Sequence, residues 1–526
     1  MFHKSLSGRL AVVLFGAIAL SAHSFPPAHA DVSKGPCAVT KLIDVPAKMH
    51  DGVTLLADVY RPIEAGSYPV ILMRLPYDKA IAQTYVYASP EFYASHCYIV
   101  VIQDVRGQYA SQGTFYPFRD EMNDGYDSVE WAAALQGSNG KVGMYGFSYT
   151  GATQWLAAVM RPPHLVAIVP GMTSSDYYDG WSYEGGAWSL AFEESWPIST
   201  IALVNARRTG DQSSVARDAA RSKSRLVIGP YIHFPWTSKL GDTDFGSEAT
   251  NPIDGLQLAW FDHWLKGKDN GADREAAVRV FVMGANRWRD AADWPIPGTR
   301  FTKYYLHSLG EANTRYGNGR LDTDAPGADE PPDRYRYDPA NPVPSRGGHS
   351  CCTPDVAPIG PLDQAGIEER ADVLVYSTPA LQQPIEVTGP ISVTLFAASS
   401  AVDTDWSAKL VDVHPDGRAI NLNNGIIRAR YRDSLEHTSP ISPDQTYKYV
   451  IRIWPTSNVF LAGHKIRLEI SSSNFPHYDR NPNTGHPFGV DAVMQPADQT
   501  VRHDAQQASF VMLPIIPEAM LPLARR

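Results

Sequence analysis

A chain of 526 residues, 44% hydrophobic and 19% charged, is too long for one core and too apolar for disorder, which leaves two or more folded domains. Its 56 acidic against 46 basic residues, a net charge of −10, exclude a surface built for nucleic acid. Twelve tryptophans and 26 tyrosines supply the side chains that line concave organic pockets.

Residues 1–30 read as a secretory signal. Lys4 and Arg9 come first, then the apolar run LAVVLFGAIAL, then Ala28-His29-Ala30 as a small-x-small cleavage site. The run is shorter than the ~20 residues that cross a bilayer. The expectation is therefore a periplasmic or secreted chain with no membrane contact after cleavage. Export makes Cys37, Cys97, Cys351 and Cys352 candidates for disulfides. Bridging adjacent cysteines is strained, so one of Cys351 and Cys352 is expected to join Cys37 or Cys97. No cysteine has a second thiol or imidazole at ligand spacing beyond that pair and the nearby His349, so no metal site is expected.

From Val53 to His233, short apolar runs alternate with helical ones. PVILMRLPY (69–77), YIVVIQDVRG (98–107), KVGMYG (141–146), LVAIVPG (165–171) and RLVIGPYIH (225–233) read as strands buried on both faces. DGYDSVEWAAALQ and SYTGATQWLAAVM read as helices between them, which predicts a parallel sheet covered by helices. DGLQLAWFDHWLKG predicts a helix with Leu256, Trp260 and Trp264 on its apolar stripe and Gly267 as its stop. His263 sits in that helix among aromatic neighbours, which favours packing over catalysis.

After residue 295 the period changes to two. PISVTLFAASS and HKIRLEISSS alternate apolar and polar residues, and Asp416-Gly417 is a hairpin turn. The expectation is an α/β domain over 31–295 and an all-β sandwich over 296–526. The Pro/Gly/Asp-rich stretch 323–350 reads as a long crossing loop.

Acyl transfer needs a nucleophile, a base and donors for the forming oxyanion. Gly146-Phe147-Ser148-Tyr149-Thr150-Gly151 follows a strand and opens a helix, the setting of a nucleophile elbow. It departs from G-x-S-x-G by placing Thr150 where the second glycine belongs. His233, just past a later strand, stands in the chain order of a base.

The stretches DVRGQYASQGTF, DGYDSVEWAAALQGSNGKVGMYGFSYTG, GPYIH, WFDHWLKGKDNG and VFVMGANRWRDAADWP resemble the CocE/NonD hydrolases, the family of cocaine esterase, α-amino-acid ester hydrolase and X-Pro dipeptidyl-peptidase. The resemblance implies an α/β-hydrolase domain with a helical cap, joined to a jelly-roll sandwich. It implies Ser148 as nucleophile, His233 as general base, and the Tyr149 N–H and Tyr77 hydroxyl as oxyanion donors. No cofactor or metal is implied, and the partner is a small ester or short peptide.

The family's acid, carried in a GGWYD-like segment behind a long cap, has no counterpart in the 85 positions between Ser148 and His233. The cap is thus expected to be reduced. Asp211 is the best substitute acid, and Asp176 and Asp179 could instead read a substrate's amino group. A missing acid leaves a rival expectation, a crippled relative that serves as a binding or structural module. A reduced cap also exposes apolar surface that invites self-association.

Overall fold

The computed structural model describes residues 35–80, 86–174, 176–196, 224–233, 236–241, 243–351, 354–487 and 489–517. The signal segment and Asp211 lie outside the described residues. Among the described residues, no helix is long and apolar enough to cross a membrane.

The first domain is built on a six-stranded sheet. Its strands are β1 (Val39–Lys48), β2 (Thr54–Pro62), β3 (Tyr68–Leu75), β4 (Ile99–Asp104), β5 (Ser138–Phe147) and β6 (Leu165–Gly171), in the order β1-β2-β4-β3-β5-β6. The ladders β4-β3, β3-β5 and β5-β6 are parallel, as the alternation of strand and helix requires. β4 is buried at every position, which is why its sequence is a continuous apolar run rather than an alternating one. Helices α2 (Glu121–Ala133) and α3 (Tyr149–Val159), which follow the short α1 (Pro90–Ser95), cover one face, where Val129, Ala132 and Ala157 meet Leu72, Val101 and Met144. Gly125 lets these two helices touch: a Cβ there would stand 2.7 Å from the Ala157 Cβ. Helix α5 (Ile253–Lys266), which follows α4 (Leu190–Trp196), covers the opposite face.

Four expectations need correction. RLVIGPYIH does not enter the main sheet. Only Leu226–Ile228 is a strand, β7, and it pairs in parallel with β8 (Val278–Val282), which pairs with β9 (Arg287–Ala291) in a separate three-stranded sheet. Consistent with this, β6 is a sheet edge with Val166 exposed, since among the described residues no strand stands between it and β7. Second, α5 buries Gln257, Leu258, Phe261 and Leu265, not the stripe of Leu256, Trp260 and Trp264, which is only partly buried. Both stripes are apolar, and the Leu/Phe stripe takes the core. Gly267 ends the helix in the left-handed conformation, φ 69°. Third, Cys37 is bonded to Cys97, with Cα atoms 5.4 Å apart, so neither reaches Cys351, which is itself disulfide-bonded. Fourth, the stretch 323–350 is not all loop.

That stretch contains strand β11 (Asp333–Tyr337), which follows β10 (Arg300–His307) and alternates buried and exposed residues. The sandwich continues with β12 (Ile385–Ser399), β13 (Asp405–Val413), β14 (Ala419–Arg428), β15 (Tyr447–Phe460), β16 (Lys465–Ser471), β17 (Ala497–Arg502) and β18 (Phe510–Ile516). The ladders joining these strands are antiparallel. Leu395, Trp406, Leu410, Tyr449 and Leu468 fill the core between them. Gly417, φ 90°, turns β13 into β14, where the Asp-Gly pair predicts a hairpin.

The three-stranded sheet of β7, β8 and β9 is joined to the sandwich by backbone hydrogen bonds. Met283, just past β8, donates to the Ser457 carbonyl at 3.0 Å and accepts from the Val459 N–H at 2.8 Å. Gly284 allows that approach, because a Cβ there would lie 2.3 Å from the Val459 oxygen. Arg289 on β9 forms an ion pair at 2.6 Å with Glu386 on β12, whose carboxylate is fully buried.

Candidate active site

Ser148 occupies the turn between β5 and α3 with φ 61° and ψ −127°, a conformation few non-glycine residues adopt and one that costs of order 1–3 kcal/mol. The neighbours explain how it is held. The Ser148 N–H donates to the Gly171 carbonyl on β6 at 2.9 Å, and the Thr150 hydroxyl donates to the Phe147 carbonyl at 2.8 Å. A Cβ on Gly146 would stand 2.2 Å from the Thr150 hydroxyl oxygen. A Cβ on Gly151 would stand 2.8 Å from the Gly171 oxygen. Close approach to β6 therefore falls at 151, one place later than in G-x-S-x-G, while the side chain at 150 caps the strand end.

Tyr77, two residues past β3, brings its hydroxyl beside the Ser148 side chain. The Tyr77 oxygen also accepts from the Trp196 indole N–H at 3.0 Å, which leaves its own proton to be donated. Burial holds that phenol protonated well above its ordinary range. Tyr149 opens α3, so its N–H has no acceptor inside the helix. Its side chain points away into the core, donating to Glu121 at 2.8 Å and accepting from the Phe118 N–H at 3.1 Å.

His233 lies five residues past the end of β7. Its ring packs against Phe147, the residue before Ser148, at 5.5 Å between centroids, and its carbonyl accepts from the Trp236 indole at 3.1 Å. Burial pushes the imidazole down to about 4 from 6.5, because an enclosed ring disfavours the cation.

Ser148 and His233 line one cavity of about 450 Å³. The sandwich lines it too, through His349, Asn423, Trp454 and His477. Trp181 and Phe192, which pack edge to face at 5.9 Å, add aromatic wall.

The loop after β6 carries three acids, and they divide. Asp176 accepts the N–H groups of Tyr178 and Asp179, and Asp179 pairs with Arg452 of the sandwich. Neither lines the cavity, so a substrate-reading role for them is not supported, whereas Glu184 does line it. One Glu184 oxygen accepts from the Tyr478 hydroxyl at 2.7 Å and faces His349 Nε2 at 3.0 Å. His349 Nδ1 faces the Asn423 carbonyl oxygen at 2.8 Å. The other Glu184 oxygen, the Asn421 carbonyl oxygen and His477 Nδ1 make no hydrogen bond within the described residues. Sequence reasoning missed this group. Glu184 had no motif around it, and His349 and His477 lay in the other domain. His263 packs on Trp264 at 4.7 Å with Nδ1 on the Lys268 carbonyl, as its aromatic neighbours imply.

An α/β-hydrolase domain with a serine elbow, a phenol beside the serine and an adjoining sandwich defines a serine hydrolase. Residues 51–274 match the X-Pro dipeptidyl-peptidase (S15 family), and residues 270–512 match the X-Pro dipeptidyl-peptidase C-terminal non-catalytic domain. The chain is 37% identical over 572 residues to cocaine esterase of Rhodococcus sp. (strain MB1 Bresler), covering 90% of this chain and 98% of that one. The chain belongs to the CocE/NonD hydrolase family and is a serine hydrolase of the esterase or X-Pro dipeptidyl-peptidase type. The fold is shared with a solved α-amino acid ester hydrolase (24% identity, TM-score 0.76, 95% of this chain and 100% of that one). It is also shared with an aminopeptidase from the marine sediment archaeon Thaumarchaeota archaeon (23% identity, TM-score 0.75, with the same coverage). Ninety per cent of this chain is about 470 residues, so about 100 of the 572 aligned positions have no residue of this chain opposite them.

Proposed function

We propose that the chain is an exported hydrolase that cleaves a small-molecule ester through an acyl-enzyme at Ser148. The Ser148 Oγ attacks the acyl carbon and His233 takes its proton. The Tyr77 hydroxyl and the Tyr149 N–H donate to the oxyanion. His233 then returns the proton to the departing alcohol, and water, activated by the same imidazole, releases the acid. The observation that carries this reading is the strained elbow that presents Ser148 in a cavity that His233 also lines.

An ester is favoured over a peptide because an alkoxide departs with less help than an amine, and because the chain is 37% identical to cocaine esterase. The unpartnered acceptors of Glu184 and Asn421 suit a substrate with a hydrogen-bond donor remote from the ester.

Turnover of nitrophenyl esters and of Xaa-Pro nitroanilides by the purified chain tests this. The expected result is ester hydrolysis that exceeds anilide hydrolysis and vanishes in Ser148→Ala. A folded chain that hydrolyses neither would favour the binding-module reading.

A further inference from the structure

Three side chains far from the catalytic cavity converge where two turns of the sandwich meet. Asp412 is next to last in β13, His414 opens the hairpin into β14, and His464 closes the turn between β15 and β16. β13 pairs with β16 so that Val413 lies opposite Lys465, which brings the two turns side by side. Each turn is fixed by its own backbone. The His414 N–H donates to the Arg418 carbonyl at 2.8 Å, and the His464 N–H to the Leu461 carbonyl at 3.1 Å.

His464 Nδ1 lies 2.8 Å from Asp412 Oδ1, the Asn458 amide steadies Asp412 Oδ2 at 3.5 Å, and the two imidazoles are 4.4 Å apart between centroids. One ligand atom from each of the three residues falls within 4.8 Å of the others. Asp412 and His464 are buried and His414 is partly exposed, which leaves a route in from solvent. None of the three lines the catalytic cavity.

We propose that Asp412, His414 and His464 bind a divalent transition ion of the zinc class, with a coordination position left open to solvent. Two imidazoles and one carboxylate are a ligand set such ions take, at bond lengths of about 2.0–2.2 Å. Those lengths place tetrahedral ligand atoms roughly 3.4 Å apart, so the triangle closes around the ion by side-chain rotation of about an ångström. The ion would replace the Asp412–His464 hydrogen bond and clamp the two turns together. A cation already stands nearby: Arg418 Nη2 is 3.5 Å from His414 Nδ1, while its Nε pairs with Asp416. Its charge opposes the metal, which sets the sign of one test. Sequence spacing hides the site, because the third ligand lies fifty positions from the other two.

Calorimetric titration of the chelator-treated full chain with Zn²⁺ tests the proposal. The expected isotherm shows one tight equivalent, weakened about tenfold or more in His414→Ala and tightened in Arg418→Ala. Co²⁺ in its place should give visible absorption with imidazole coordination, lost in His414→Ala. His414 is partly exposed, so its variant should keep the wild-type near-ultraviolet dichroism. Should it not, Asp412→Asn, which keeps shape and hydrogen bonding, takes its place. Absence of a saturable equivalent in the wild-type chain, or an equivalent equally tight in the variant, overturns the proposal.

Discussion

Ser148 keeps its left-handed backbone because Gly146 and Gly151 let the elbow close on Thr150 and β6. Gly151→Val should therefore lower stability by about 1–3 kcal/mol, measured by urea midpoint, and reduce ester turnover further than the stability loss explains. Tyr77→Phe removes one oxyanion donor while leaving the ring in place. Its expected cost is about 100- to 1,000-fold in kcat with little change in KM. His233 fixes a pH dependence. With its imidazole near 4 in the folded chain and 6.5 as its ordinary value, the unfolded chain binds the extra proton over that window. Stability is then complete above 6.5 and falls as pH drops toward 4, by up to about 3 kcal/mol and less in proportion as cavity water reaches the ring. The same shift puts the acid limb of kcat/KM near 4 rather than 6.5. A limb at 6.5 would mean that the imidazole keeps its ordinary value in the folded chain.

At the scale of elements, four strands of the sheet, β3 to β6, and the two helices α2 and α3 were legible from their patterns, whereas β1 and β2 were not foreseen. Continuous apolar runs marked β3, β4 and β5, and small residues with a Gly-x-Ser turn marked the passage from β5 to α3. Three of the misreadings share a physical cause, which is that pattern names an element but not its neighbours. LVI of β7 is as apolar as a central strand, yet it pairs with β8 instead of β6. In α5 two adjacent apolar stripes were available and packing chose between them. Cysteine pairing depends on three-dimensional proximity alone, and Cys37 meets Cys97 across 60 positions. Opening that bridge by Cys37→Ala with Cys97→Ala should cost about 2–4 kcal/mol, read as a lowered denaturation midpoint with unchanged activity at low temperature. Helix α4 also acts through its last residue: Trp196→Phe removes the indole donor from the Tyr77 hydroxyl and should lower kcat several-fold with folding intact.

For the whole molecule, the domain joint shapes the site. Ser148 and His233 come from the α/β domain, while His349, Asn423, Trp454 and His477 of the sandwich line the same cavity. This shared wall was not legible in sequence, since no local pattern links residues 148 and 477. Trp454→Ala should accordingly change KM across an ester series more than it changes kcat.

The most direct test is intact-mass analysis after exposure to a fluorophosphonate, with the site mapped by peptide sequencing. One adduct per chain on Ser148, absent from Ser148→Ala and slowed in His233→Gln, is the predicted result. A folded chain that takes no label, or that carries its label on another residue, would contradict the assignment of the nucleophile.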